Sequence, residues 1–310
     1  MLHASHSLQT PEAPYRMMQT GHGHGKGPAA AATTVLVARP LPEICFILRR
    51  KVLAFLEQNP CAVSSDSHGA IRSVQMQTRA SIEVVQEALR RYGPAELSLS
   101  YNGGKDCLVL LVLILASLPA IYDPYDPQTS SSLPSPTSSS NISPTDGPDV
   151  GLPTLQAIYI APPDPFPEVE EFVTRTTKEY HLDLARYALP MRRALEAYRE
   201  DKPSVKAIFM GTRRTDPHCE FLTPFAQTDK GWPQFMRVNP ILDWHYVDIW
   251  TFIRCLDVPF CSLYQQGYSS LGGVTNTRPN PALAIDAQGT EFRPAYELVR
   301  DDEERLGRDR

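Results

Sequence analysis

Residues 98–106 read Ser-Leu-Ser-Tyr-Asn-Gly-Gly-Lys-Asp and join a strand-like run at 95–99 to a long apolar run at 107–118. A strand that passes through a glycine pair into a helix brings backbone N–H groups to the positive end of that helix, where phosphate binds well. Lys105 adds a cation, and Asp106 adds a carboxylate that could orient the lysine or hold a metal. We predict a phosphate-binding turn, although glycines that serve only a tight turn would leave the same pattern.

This loop differs from two common nucleotide-binding motifs. A Walker A loop requires G-x-x-x-x-G-K-[ST], whereas only Asn102 precedes the glycines within the turn and Asp106 follows the lysine. The loop also lacks the dinucleotide fingerprint G-x-G-x-x-G. Its full string, S-x-N-G-G-K-D, resembles the pyrophosphate loop of the N-type ATP pyrophosphatases, which cleave ATP between its α- and β-phosphates.

The composition is that of a globular protein, with 42% apolar and 21% charged residues in a chain of 310. A net charge of -5 argues against a nucleic-acid partner. The six cysteines show neither a C-x-x-C pair nor zinc spacing, which indicates reduced thiols in a cytoplasmic protein. The run at 107–118 is too short for a bilayer span of about 20 residues, so no membrane partner is expected. A mitochondrial presequence is the weaker alternative for location.

Two segments have the composition of disordered chain. Residues 1–38 are rich in His, Gly, Ala and Thr without a usable period, and we predict a flexible leader there. Residues 122–153 are rich in Ser, Pro, Thr and Asp and cannot bury enough apolar surface to order themselves, which predicts a disordered insertion in a surface loop. The remainder of 39–310 is predicted to form a single domain.

Elsewhere the chain alternates between helix and strand patterns. Apolar spacing predicts helices at 41–58 and 71–89, which could cover one face of a sheet. After the insertion we predict strands at 155–160, 183–188 and 207–210, with helices at 166–180 and 191–200. This order predicts an α/β fold, a doubly wound and mostly parallel sheet with helices on both faces. Ligands of such sheets bind beyond the carboxyl ends of the strands, so the 100–106 loop, Ile160 and Gly211 should share one rim.

A second motif, Gly-Thr-Arg-Arg-Thr-Asp at 211–216, follows the predicted strand at 207–210. Two adjacent arginines at a strand end are costly to bury unless an anion meets them, and guanidinium groups bind phosphate oxygens bidentately. Asp216 could fix an arginine or take part in metal binding. A solvated Arg–Asp pair on a loop is the alternative.

A third motif reads Gln-Thr-Asp-Lys-Gly-Trp-Pro-Gln-Phe-Met-Arg at 227–237. A tryptophan between glycine and proline is a candidate stacking platform for a planar ring, and Arg237 is near enough in sequence to meet a phosphate. Taken alone, Trp232 is more often a core anchor beneath a loop. Beyond it we predict a strand or extended segment at 239–244, a helix at 247–256 and an ordered functional loop at 263–281. Residues 296–308 read as a short charged helix, although their composition alone favours a fraying tail.

Further motifs accompany S-Y-N-G-G-K-D: P-F-P-E at 165–168, M-G-T-R-R-T-D-P at 210–217, T-D-K-G-W-P-Q-F-M-R-V-N-P-I-L-D-W at 228–244, L-Y-Q-Q-G-Y-S-S-L-G at 263–272 and E-R-L-G-R at 304–308. Together they resemble the eukaryotic FAD synthase (FMN adenylyltransferase) family, whose fold is like that of the PAPS reductases. The resemblance covers residues 40–308 apart from the insertion at 122–153. The motifs after Gly211 are more specific than the phosphate loop.

The resemblance implies transfer of AMP from ATP to FMN, giving FAD and pyrophosphate, with Mg²⁺. The FMN phosphate would attack the α-phosphorus of ATP in line, so the protein would mainly position two anions and offset their charge. FAD could then pass transiently to apo-flavoproteins. Many animal relatives carry an upstream molybdopterin-binding-like domain, whereas only the short leader precedes residue 39 here, so we expect a single-activity enzyme.

The resemblance also implies roles for individual residues. The catalytic residues would be Asn102, Lys105 and Asp106. ATP and its phosphates would be held by Ser100, Gly103, Gly104, Ile160, Gly211, Arg213 and Asp216. FMN would be held in the part at 211–310 by Asp229, Trp232, Arg237, Arg305 and Arg308. Asp106 and Asp216 would both be open to Mg²⁺.

Three alternative functions fit the sequence less well. A PAPS reductase-like enzyme would need a nucleophilic cysteine near its C-terminus, and the last cysteine is Cys261. An amidating ATP pyrophosphatase, such as a tRNA-modifying enzyme, would need a basic RNA surface or an ammonia-generating domain, and the net charge of -5 counts against the first. A flavin-binding module without catalysis would have no use for both Lys105 and Asp106 beside the motif at 211–216.

Overall fold

The computed structural model describes residues 39–58, 65–122 and 153–309, all within one compact unit, Ala38–Arg310. The predicted leader at 1–38 and all but the two end residues of the predicted insertion at 122–153 lie outside the described residues. Among the residues described, no helix has both the length and the apolar character needed to cross a bilayer.

Six strands in this part of the chain form one sheet: β1 (Leu97–Ser100), β2 (Gln156–Ile160), β3 (Asp183–Tyr187), β4 (Ala207–Phe209), β5 (Phe225–Gln227) and β6 (Met236–Val238). The strand order is β3-β2-β1-β4-β6-β5, and all neighbours are parallel except β5 and β6. The predicted mostly parallel sheet is therefore confirmed. Because β1 pairs in parallel with both β2 and β4, the carboxyl end of β1 lies between the carboxyl ends of those two strands.

The α-helices of the described residues are α1 (Leu41–Glu57), α2 (Ser65–Arg91), α3 (Lys105–Tyr122), α4 (Pro167–Glu179), α5 (Met191–Asp201) and α6 (Tyr246–Cys255). α3 is the helix that follows the glycine turn, and its residues from Cys107 to Leu118 are at most 4% exposed. It packs against α1, α2 and α6. Burial on all sides therefore explains the long apolar run, because a helix at the centre of a core has no polar face.

Alternation along the strands separates two cores. In β2, Ala157 and Tyr159 belong to the main core with α3, whereas Ile158 belongs to a smaller cluster with Tyr198 of α5. Since successive strand residues point to opposite faces, α5 covers the face opposite α3. A hydrogen bond of 2.7 Å between the Ser98 and Tyr198 hydroxyls ties α5 to β1. Helices on both faces are thus confirmed, with most of them on the α3 side.

Two predictions for the second half of the chain are wrong. The segment at 239–244 forms turns, and the strand lies earlier, in β6. Neither β5 nor β6 was predicted, because a three-residue strand carries too little alternation to be recognised. The charged helix predicted at 296–308 is instead a chain of turns that includes two short 3₁₀ helices, Ala295–Glu297 and Asp301–Glu303. This segment lacks the apolar stripe that would hold an α-helix against a core.

Candidate functional site

Three adjoining cavities lie at the carboxyl ends of β1, β2 and β4, where a parallel sheet is expected to bind ligands. The polar cavity, with a volume of about 260 Å³, has walls that include Asn102, Asp106, Gly211, Asp216, Arg305 and Arg308. The large cavity, of about 510 Å³, is lined by residues that include Tyr159, Phe166, Val169, Leu189 and Gly272. The tryptophan cavity, of about 240 Å³, is lined by residues that include Leu195, Ile208, Asp229, Trp232 and Arg237.

The three cavities share walls. Asn102 borders both the polar and the large cavity. Ser100 borders the polar and the tryptophan cavity, and Ile160 borders the large and the tryptophan cavity. The cavities therefore form one branched cleft, with the loop after β1 at the branching point.

The glycine turn requires glycine for two reasons. Gly103 has a φ of 73°, and a Cβ there would lie 2.8 Å from Val173 Cγ2 in α4. At Gly211 a Cβ would lie 3.0 Å from the backbone nitrogen of Cys107, so the chain after β4 passes directly over the start of α3. Two backbone amides that were expected to be free already donate inside the protein: Gly104 N–H to Asn102 Oδ1 (3.0 Å) and Lys105 N–H to the Tyr264 hydroxyl (2.9 Å).

We expect Gly103→Ala to lower the free energy of unfolding by about 2–3 kcal/mol, because it adds left-handed strain to a clash with α4. Denaturant unfolding measures this loss. Gly93→Ala is the matched control, since a Cβ at Gly93 meets nothing within 4 Å and the φ of that residue is -69°. Equal stability of the two variants would show that the turn tolerates a side chain.

A buried network of charges lies beneath the polar cavity. Lys105 is 2% exposed, and its Nζ lies 3.0 Å from Asp106 Oδ2 and 2.5 Å from Glu304 Oε1. Arg213 is 1% exposed. Its Nε lies 3.0 Å from Asp106 Oδ1, its Nη2 pairs with Glu304, and its Nη1 lies 3.7 Å from Asp301 Oδ1. Both cations thus already face carboxylates. Lys105 and Glu304 nevertheless border the polar cavity, whereas Arg213 does not.

The ion pairs of the network favour the charged forms of Lys105 and Asp106. Burial alone would raise the pKa of Asp106, but Lys105 and Arg213 outweigh burial and hold that pKa below its usual value. Burial would likewise lower the pKa of Lys105, yet Asp106 and Glu304 raise it. The neighbouring Arg214 differs, because its side chain is 40% exposed and pairs through Nε with Asp243 at 2.6 Å. The alternative of a solvated Arg–Asp pair therefore describes Arg214 and not Arg213.

Asp106 and Asp216 offer two carboxylates to the polar cavity. Asp106 Oδ1 is buried and makes no hydrogen bond, although it faces Arg213, and Asp216 Oδ2 accepts 2.9 Å from the Arg213 N–H. Burial raises the pKa of Asp216. The described residues contain no cluster of three or more metal-ligating side chains. This donor set fits a divalent cation that takes most of its oxygen ligands from bound phosphates.

The loop between β5 and β6 forms one wall of the tryptophan cavity. Trp232 is 39% exposed, whereas Trp244 and Trp250 are buried in the main core. Trp232 therefore does not anchor the core. Arg237 forms an ion pair with Asp229 at 3.4 Å and donates a hydrogen bond of 2.9 Å to the Gln227 carbonyl. These contacts fix the Arg237 side chain in the same cavity wall as the Trp232 ring.

The C-terminal segment, residues 301–308, packs against the cleft and is not a fraying tail. Arg305 and Arg308 both line the polar cavity, not the tryptophan cavity. Arg308 Nη1 donates a hydrogen bond of 2.8 Å to the Leu271 carbonyl, and the Arg308 guanidinium packs against Gly272, where a Cβ would overlap it. The loop at 263–281, predicted to be ordered, carries these contacts.

The model of a protein family described as "Phosphoadenosine phosphosulfate reductase domain" matches residues 186–279. A protein described as "Probable FAD synthase" from Schizosaccharomyces pombe is 39% identical over 76% of this chain and 80% of its own length. The chain belongs to the FAD synthase family. A member from Caenorhabditis elegans is 36% identical over 78% of this chain but 42% of that protein, so this chain spans less than half of that relative.

A solved structure supports the same family. The FMN adenylyltransferase of Candida glabrata, in complex with FAD and inorganic pyrophosphate, superimposes with a TM-score of 0.74 and 28% identity. The match covers 89% of this chain and 99% of that one. The fold of the FAD synthase family therefore extends over nearly the whole described part of this chain.

Among the site residues of this FAD synthase family member that the sequence did not indicate, two hold the network and the glycine turn in place. Glu304 is the buried partner of both network cations, and the Tyr264 hydroxyl accepts from the first amide of α3. Both lie inside motifs that are visible in the sequence, E-R-L-G-R and L-Y-Q-Q-G-Y. Nothing local to either residue indicates its partner, because the partners are remote in sequence.

Proposed function

We propose that this chain is an FMN adenylyltransferase, which transfers AMP from ATP to FMN and releases pyrophosphate. The observation that carries the proposal is the shape of the cleft, in which one polar cavity adjoins two cavities that can each receive a planar ring. Membership of the FAD synthase family supports it. The related Candida glabrata enzyme is described with FAD and inorganic pyrophosphate, which are the two products of this reaction.

Each cavity has a substrate group that suits its chemistry. The large cavity, with apolar walls and the end of β2 at Ile160, suits the adenosine of ATP. The tryptophan cavity suits the isoalloxazine ring, because Trp232 offers an aromatic face beside the polar pair of Asp229 and Arg237. The phosphates of both substrates then meet in the polar cavity next to Asn102.

The reaction needs two anions to be held together while charge moves onto the leaving group. An oxygen of the FMN phosphate bonds to the α-phosphorus, and the bond from that phosphorus to pyrophosphate breaks, with the electron pair leaving on pyrophosphate. In this proposal the guanidinium groups of Arg305 and Arg308 and the side-chain NH2 group of Asn102 donate hydrogen bonds to phosphate oxygens. The buried Lys105 acts through Asp106, whose carboxylate it holds at the cavity wall.

Mg²⁺ would be held by Asp106 and Asp216, and when bound it offsets the negative charge of the phosphates. Asp106 stays ionised because of its two cationic neighbours, so it can serve as a ligand at neutral pH. Removal of Mg²⁺ with a chelator should therefore abolish FAD formation.

The direct test is to incubate the purified protein with FMN, ATP and Mg²⁺ and to separate the products by chromatography. FAD and pyrophosphate should appear in equal amounts. If no FAD forms above a control without enzyme, the proposed function is wrong. Release of sulfite from phosphoadenosine phosphosulfate would instead favour the PAPS reductase alternative.

We expect Trp232→Ala to raise the KM for FMN by about three- to tenfold while the KM for ATP stays near that of wild type, because an aromatic stacking contact is lost. Steady-state kinetics with each substrate varied in turn measures this. Phe221→Ala is the control, since Phe221 is 96% exposed and lines none of the three cavities. Equal changes in both KM values would argue against a flavin site at Trp232.

We further propose that residues 39–310 form one catalytic domain, whose part at 211–310 holds the flavin. A cytoplasmic location is supported by the free thiols of the described cysteines, which form no disulfide among themselves. ATP and FMN are the proposed small-molecule partners, and transient transfer of FAD to apo-flavoproteins is part of the same proposal.

A further inference from the structure

Glu304 lies between the two cations of the buried network. Its Oε1 accepts from Lys105 Nζ at 2.5 Å, and its Oε2 accepts from Arg213. The residue is 7% exposed and directly precedes Arg305. One carboxylate therefore joins the start of α3, the chain after β4 and the C-terminal segment.

The backbone of this segment is fastened separately from the Glu304 carboxylate. The Ser269 hydroxyl donates 2.7 Å to the Glu304 carbonyl, and Asn280 Nδ2 donates 2.7 Å to the Glu303 carbonyl. The Arg278 N–H donates 2.8 Å to the Gly307 carbonyl. These bonds attach the segment to the 263–281 loop, whereas only side-chain carboxylates attach it to Lys105 and Arg213.

We infer that Glu304 is a positioning residue that fixes the cavity-facing arginines, Arg305 and Arg308, in register with the Asp106 carboxylate. The inference rests on the proposed function. Glu304 does not bind a substrate itself; it aligns the segment that carries the arginines with the loop that carries Asp106. The Glu304 carboxylate then positions both sides of the polar cavity. On one side it holds Lys105, which pairs with Asp106, and on the other its backbone continues into Arg305.

A different role for Glu304 would be to neutralise buried positive charge and nothing more. In that case its loss would lower stability without acting through the arginines. The two roles differ in whether the effect of Glu304 on catalysis depends on Arg308. A double-mutant cycle measures that dependence.

The cycle compares wild type, Glu304→Gln, Arg308→Ala and the double variant, with kcat and the KM for FMN determined for each. Glu304→Gln keeps the size of the side chain and removes its charge, and the backbone bonds keep the segment attached. We expect Glu304→Gln to lower kcat/KM for FMN by about tenfold, since a hydrogen bond to a charged group is lost. In the Arg308→Ala background the same change should have a smaller effect, of about threefold, because only Arg305 is left for Glu304 to align with Asp106.

Trypsin gives a second readout that does not depend on activity. Cleavage after Arg305 should be about fivefold faster in Glu304→Gln than in wild type, because local opening of the segment becomes easier. Glu303→Gln is the control: the side chain of this neighbouring glutamate pairs only with Arg300, at 3.6 Å, among the described residues, and both its kinetics and its cleavage rate should match wild type.

Multiplicative effects in the cycle, or an unchanged cleavage rate, would overturn the inference while leaving the proposed function in place. Wild-type protein that forms no FAD would overturn the proposed function, and the cleavage rates would still decide whether Glu304 holds the segment. Glu304→Asp, which keeps the charge, should recover part of the lost kcat/KM and slow the cleavage again.

Discussion

Replacing Asp106 with asparagine is expected to lower kcat for FAD formation by about 100-fold or more. The side chain keeps its shape, but the polar cavity loses the carboxylate proposed to hold Mg²⁺, and Lys105 and Arg213 are left to share Glu304. Stopped or continuous assays of FAD formation at saturating ATP and FMN measure the change.

Stability should fall as well, by about 1–3 kcal/mol, because two buried cations lose a partner. The pKa of Asp106 is held below its usual value, so its contribution is present at neutral pH and is lost as the pH falls through that pKa. The difference in stability between wild type and variant should therefore narrow in acid, as followed by urea unfolding at several pH values.

Asp243→Asn is the matched control for Asp106→Asn. It neutralises another aspartate that pairs with an arginine, Arg214, but its side chain is 58% exposed and it lines none of the three cavities. We expect kcat within about twofold of wild type, since an exposed ion pair contributes only about 0–1 kcal/mol. A kcat for Asp106→Asn as close to wild type as this would falsify the proposed role of Asp106.

Ending the chain after Arg300 is expected to abolish activity with either substrate. The assignment of Arg305 and Arg308 to FMN predicts a selective loss of FMN use. The structure implies a wider effect, because the segment supplies Glu304 and Asp301 as well as the arginines of the polar cavity. Asp301 also accepts 2.7 Å from the Tyr246 N–H at the start of α6. The unfolding free energy should fall by about 3–5 kcal/mol, the cost of leaving buried charges unpaired.

Two further variants distinguish the loss of the cavity arginines from the loss of the buried carboxylates. A chain that ends at Arg308 removes only residues beyond the E-R-L-G-R motif and should retain nearly full activity. The full-length Arg305→Ala/Arg308→Ala variant keeps both carboxylates, so it should lose activity with a much smaller loss of stability. If truncation after Arg300 left kinetics and melting temperature unchanged, the segment would be a fraying tail after all.

Much of the fold could be predicted because its signals are local. Each of these signals depends on residues that are only a few positions apart: the glycine pair, the apolar run after it, and the later alternation of strands and helices. Strands and helices are recognised by apolar periods of about 2.0 and 3.6 residues. The strands β5 and β6 escaped prediction, since three residues are too few to show a period. The rim of the sheet where the cleft lies followed from parallel topology alone.

Local sequence was enough to predict the glycine turn and the burial of α3. The C-terminal arginines of the polar cavity were indicated only by resemblance to the family, and Glu304 was not indicated at all. What those residues contact depends on the three-dimensional fold. Lys105, which the motif suggests as a phosphate ligand, is enclosed by Asp106 and by Glu304, a residue 199 positions further along the chain. Arg213 pairs with the same two carboxylates and, unlike Lys105, does not border the polar cavity. A charged side chain is placed by the partners that folding brings to it, and partners so distant in sequence leave no local pattern.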